Sequence, residues 1–87
     1  MPRFLLIVDD REDLRVGFHR YFIRFFDEVL VASDPASAEE LLSRSVNAPT
    51  HVVCDYWFGE DHPVGASVLP AWRRRYPSIV KAALVSG

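Results

Sequence analysis

The sequence predicts an α/β domain, with short apolar strands alternating with amphipathic helices to build a parallel sheet. Two observations carry this. Four apolar runs, at 4–8, 28–32, 51–56 and 79–85, have strand length and strand composition. Of the three intervening segments, the first repeats its apolar residues at helical spacing, the second opens on a cap and proline with an inward apolar face, and the third reads as a helix ended by Pro77. Strand–helix alternation of this kind gives a parallel sheet covered on both faces, joined by right-handed crossovers.

The first run, FLLIV, is unbroken by polar residues and ends at Asp9 and Asp10, so it reads as a fully buried strand. The following stretch, 11–26, places Leu14, Phe18, Tyr21, Phe22, Phe25 and Phe26 on a helical stripe. Asp10 or Arg11 opens this helix, and Glu12 and Asp13 suit the positive end of its dipole. EVLVA, 28–32, is the second strand. Asp34-Pro35 is an N-cap followed by proline at the first helical position, so a second helix runs to Arg44 with Ala38, Leu41 and Leu42 facing inward. Asn47-Ala48-Pro49 is a loop before the third strand, 51–56. A polar loop at 60–65 precedes a third helix over 66–76, with Pro70 expected in its first turn because a proline further in would kink it. Pro77 ends that helix, and 79–85 is the fourth strand.

The 87 residues bound the chain to one domain, with 49% apolar and 25% charged residues, an ordinary globular balance. A net charge of −2 argues against nucleic-acid binding through phosphate neutralisation. One cysteine, Cys54, excludes an intrachain disulfide and fits a reducing, cytoplasmic setting. No stretch approaches the roughly 20 apolar residues of a membrane span. The N-terminal run is short and ends in two acids, which makes a poor signal peptide.

The chemistry-bearing residues stand at strand ends. Open parallel sheets bind ligands beyond the carboxyl ends of their strands. The first strand ends on Asp9 and Asp10, and the third delivers Asp55. If these strands are neighbours, three carboxylates meet, and their mutual repulsion calls for a divalent cation. Magnesium favours hard oxygen ligands, so one or two carboxylates and a backbone carbonyl would serve it, leaving positions for water or a phosphate oxygen. A carboxylate beside such a metal can act as a nucleophile and form an aspartyl phosphate.

FLLIVDD, SDPASAEELL, VVCDYWF and ALVSG together resemble the receiver domain of two-component response regulators, over the whole chain. The resemblance implies a flavodoxin-like parallel sheet of strand order 2-1-3-4 and a role in signal transduction, with a sensor histidine kinase as phosphoryl donor. It implies that Asp55 is the phosphoacceptor and that Asp9 and Asp10 hold Mg2+ together with Asp55. Trp57 matches the position whose backbone carbonyl completes the metal site. Ser86 matches the hydroxyl residue that turns toward the phosphoryl group, with the small residue Gly87 after it. The module is expected to accept a phosphoryl group rather than to act as an enzyme.

The sequence departs from the family in three places. Pro63 stands eight residues after Asp55, where a glycine is usual; Gly65 comes two later, and Gly59 stands where a proline is common. The chain stops after its fourth strand, so it reads as a truncated receiver without the family's fourth helix, fifth strand and fifth helix. The family's strand-end lysine is missing with them. Lys81, the sole lysine, lies five residues before Ser86, roughly 16 Å away along the strand and at the wrong end of the sheet. The fourth strand then becomes an apolar edge, which is a template for pairing. The first helix keeps an aromatic stripe without the neighbour that the last helix supplies, and such a stripe usually marks an interface. A homo-oligomer, most simply a dimer through strand 79–85, helix 12–26 or both, is therefore expected.

Rival readings remain beside this one. Three strand-end acids can be plain caps and loop residues. The fold can also persist as a phosphorylation-independent dimerisation or interaction module, or the chain can be the N-terminal piece of a longer response regulator. Phosphatases that use a strand-end Asp usually carry a second acid two residues later, and here that position is Trp57. Cys54 reads as inert packing. His19, His51 and His62 lack metal-ligand spacing, and Arg73, Arg74 and Arg75 read as a solvated face.

Overall fold

A computed structural model describes residues 2–45, 47–55 and 65–85. Seven elements alternate along the chain: β1 (Phe4–Val8), α1 (Glu12–Phe22), β2 (Glu28–Ala32), α2 (Pro35–Arg44), β3 (His51–Asp55), α3 (Gly65–Arg75) and β4 (Lys81–Val85). The strands form one sheet in the order β2-β1-β3-β4, and every pairing is parallel. Leu6 lies level with Leu30 and Val52, Val8 with Ala32 and Cys54, and Asp55 with Val85. This is the predicted order and the predicted strand direction.

Side-chain alternation divides the sheet into two faces. Leu6, Val8, Ala32, Val52 and Cys54 point to one face, where Ala38 and Leu42 of α2, Leu69 and Trp72 of α3, and Ile79 complete a buried cluster. The Trp72 indole is fully buried, and its Nε1–H donates to Glu39 Oε1 at 3.2 Å, tying α3 to α2. Leu5 and Ile7 point the other way, toward α1, which packs on β1 and β2. Asp34 caps α2 as predicted, its Oδ1 accepting the Ser37 N–H at 2.7 Å, with Pro35 behind it.

The end of α1, the place of Pro70 in α3 and the start of β4 differ from the sequence reading. The first helix stops at Phe22 rather than running to residue 26. There the Ile23 N–H bonds to the His19 carbonyl and the Phe25 N–H to the Phe22 carbonyl, closing a turn. Asp27 then pairs with Arg3 by two backbone-based bonds, which pull the chain into β2. Phe26, freed from the helix, stacks under the Arg3 guanidinium and edge-on to the His51 ring. α1 has no buried residue, so its aromatics cover the sheet only partly.

Pro70 is the sixth residue of α3, beyond the first turn. It lies on the exposed side, and its missing N–H removes one intrahelical bond while the helix continues to Arg75. β4 begins at Lys81 because Ile79 turns back into the core, its N–H bonding to the Tyr76 carbonyl. β3 is described to Asp55, so Tyr56 lies outside the described residues.

Candidate functional site

β1 and β3 are neighbours, so the carboxyl ends of both strands open at the same edge of the sheet. Asp9 directly follows β1, and its N–H is anchored on the Ala32 carbonyl at 3.1 Å. Asp55 is the last residue of β3. With Asp10 they form a cluster in which one ligand oxygen from each lies within 4.8 Å of the others. Asp9 and Asp55 are only 2% and 4% exposed, while Asp10 faces solvent. Two full charges at 4.8 Å repel by roughly 3.5 kcal/mol at an effective dielectric constant near 20, so a nearby cation stabilises the cluster.

Arg11 supplies one, and nothing in the sequence reading assigned it a site role. It is the N-cap of α1, but its own side chain makes no cap. Instead the Asp9 carboxylate accepts from it: the backbone N–H reaches Oδ1 at 2.9 Å, Nε reaches Oδ1 at 3.3 Å and Nη2 reaches Oδ2 at 3.4 Å. The same Nη2 lies 3.9 Å from Asp55 Oδ1. Its pKa is raised above the ordinary arginine value, chiefly by the hydrogen bond to Asp9; desolvation, the next effect, opposes this, and the charges of Asp9, Asp55 and Asp10 add to the rise. One turn on, Arg15 Nη1 donates to the Asp9 carbonyl at 2.9 Å. A signal was present in the sequence: two arginines one helical turn apart directly follow the acidic pair.

Cys54 stands beside Asp55 on the opposite face of β3. Burial, then the charges of Asp55 and Asp9, push its thiol up to about 12, so it stays protonated and inert. Lys81 is level with His51 at the amino end of the strands, four residues before the level of Asp55, as the spacing predicted. Trp57 and Ser86 lie outside the described residues.

The donor set suits a hard divalent cation: three carboxylates, two of them held in place by buried strand ends. No family model and no curated protein matches the chain in sequence. Solved structures do match in shape. The MaeR response regulator bound to beryllium trifluoride aligns at 22% identity and a TM-score of 0.77, over 98% of this chain and 67% of that one. A response regulator receiver domain protein from Clostridium thermocellum aligns at 16% identity and 0.74, over 98% and 65%.

The chain has the receiver fold. An adenylate cyclase from Rhodopirellula baltica also contains this arrangement, at 21% identity and a TM-score of 0.81, over 98% of this chain and 60% of that one. The chain thus spans about two thirds of the length of the receiver-fold structures it matches. Among the described residues no helix is long and apolar enough to cross a membrane.

Proposed function

We propose that this chain is a cytoplasmic phosphoacceptor module of a two-component signalling system, with Asp55 as the acceptor and a sensor histidine kinase as donor. The observation that carries this reading is the carboxylate cluster, which stands at the carboxyl edge of the two central strands of a receiver fold. Asp9, Asp10 and Asp55 would hold Mg2+, with the Trp57 backbone carbonyl as a further ligand. Such an ion supplies charge neutralisation for the carboxylates and for the incoming phosphoryl oxygens.

The chain's own residues do the rest. β3 holds the Asp55 carboxylate buried and fixed, so little entropy is lost when it attacks. A carboxylate oxygen forms a bond to phosphorus as the bond from phosphorus to the donor imidazole nitrogen breaks, and that nitrogen keeps the electron pair. Ser86 would turn its hydroxyl toward the new phosphoryl group. On this reading the chain accepts the group on its own Asp55 and turns over no other substrate. The test is intact-mass spectrometry after incubation with Mg2+ and acetyl phosphate, beside Asp55→Asn. One phosphoryl adduct, absent from the variant, is expected; a folded sample without an adduct overturns the reading.

A second reading has its own support. β4 has β3 as its one neighbour among the described strands; Leu84 in it is 42% exposed and Val80 just before it 63%. Tyr21, Ile23 and Phe25 are exposed at the end of α1. Between these regions lies an apolar groove of about 460 Å³ lined in part by Phe22, Phe26, Val53 and Ala83. These surfaces favour a homo-oligomer, which would persist unchanged in Asp55→Asn if the fold served only as an interaction module. A monodisperse monomer at micromolar concentration by light scattering would remove the oligomer.

A further inference from the structure

We propose that Arg11 is the resident cation of the carboxylate pocket, and that a divalent cation enters by displacing its guanidinium. This deepens the functional reading and rests on the pocket being a divalent-cation site. The guanidinium spans both buried acids, contacting Asp9 through Nε and Nη2 and approaching Asp55 Oδ1 with Nη2. Those are the oxygens a metal would draw on. Two like charges sharing them repel strongly at such range, so occupancy by one weakens the other.

Arg11 is built to leave. Its side chain is 35% exposed, so water can receive the guanidinium on one side. Its backbone N–H bond to Asp9 Oδ1 does not depend on the side chain and can keep that carboxylate oriented. It does not leave by losing its proton, because a guanidinium stays charged in proteins. Rotation is the available route. The sole lysine is at the far end of the strands and cannot take over. The guanidinium therefore offsets part of the pocket's negative charge without metal, and metal binding is weaker than the three carboxylates alone would give.

Isothermal titration with Mg2+, at fixed pH and ionic strength, compares the wild type with Arg11→Gln and Arg11→Lys. Removing charge-assisted hydrogen bonds that the metal would otherwise have to break should tighten Mg2+ binding by roughly tenfold or more in Arg11→Gln. Arg11→Lys, which keeps the charge but loses the planar fork, should fall between. Thermal unfolding gives a second readout: without Mg2+ the Gln variant melts below the wild type, and saturating Mg2+ closes or reverses the gap. Equal Mg2+ affinity in all three proteins overturns the inference and leaves the metal site standing. Absence of binding in every folded sample overturns both. If Arg11→Gln does not fold without metal, Arg11→Lys decides alone, and an affinity equal to wild type overturns the inference.

Discussion

Replacing Trp72 tests the account of what holds the site's scaffold together. Its ring is 1% exposed, it sits in the cluster formed by β1, β3, α2 and α3, and its Nε1–H is bonded to Glu39. Trp72→Phe removes that bond, a net loss of about 1 kcal/mol, and leaves a smaller ring in the same space, a loss of about the same size. The sum, about 2 kcal/mol, lowers the melting temperature by roughly 8–16 °C for a domain of this length. Trp72→Ala leaves a large void and loses roughly 3–5 kcal/mol. The whole domain has a stability on the order of 4–13 kcal/mol, so the alanine variant stands near the edge of folding. Urea denaturation followed by far-ultraviolet circular dichroism measures both, and a double-mutant cycle with Glu39→Ala isolates the α2–α3 tie. A change below about 0.5 kcal/mol in Trp72→Phe, or zero coupling to Glu39, would refute this reasoning.

Three further predictions concern pH, thiol chemistry and the open edge. The His51 pKa is lowered, first by burial and then by the charges of Arg3 and Lys81, while Phe26 and Thr50 face it without charge. The unfolded chain therefore binds more protons between the lowered value and the usual 6.5, so stability rises with pH through that window and is lost on acidification. His51→Gln should flatten that part of the profile, and an unchanged slope would sink the assignment. Cys54, with its thiol near 12, should react with iodoacetamide at pH 8 roughly a thousandfold more slowly in the folded chain than in urea; equal rates would show an open strand. Leu84→Lys places a charge on the exposed edge of β4 and should reduce self-association seen by light scattering at matched concentration, whereas an unchanged mass would remove β4 from the interface.

Local pattern determined much of this protein. The unbroken apolar run at 4–8 reported a strand buried on both faces, and Asp34-Pro35 announced the start of α2 through its own hydrogen bond. The strand ends placed Asp9, Asp10 and Asp55, and adjacency of β1 and β3 in a parallel sheet then brought them together. These features are legible because side-chain period and capping chemistry act between near neighbours in the chain. Tertiary contacts decided the rest. The aromatic stripe continues past Phe22, but the pairing of Asp27 with Arg3 across the chain ends the helix there. Pro70 lies beyond the first turn of α3, which Trp72 and Leu69 anchor in the core from the opposite side. Arg11 looked like a helix opener; it became the counter-ion of two buried acids only once β1 and β3 had set Asp9 and Asp55 side by side. The contact of Arg11 with Asp9 is local, two residues away, but its approach to Asp55 is settled by strand pairing, which no short-range spacing encodes.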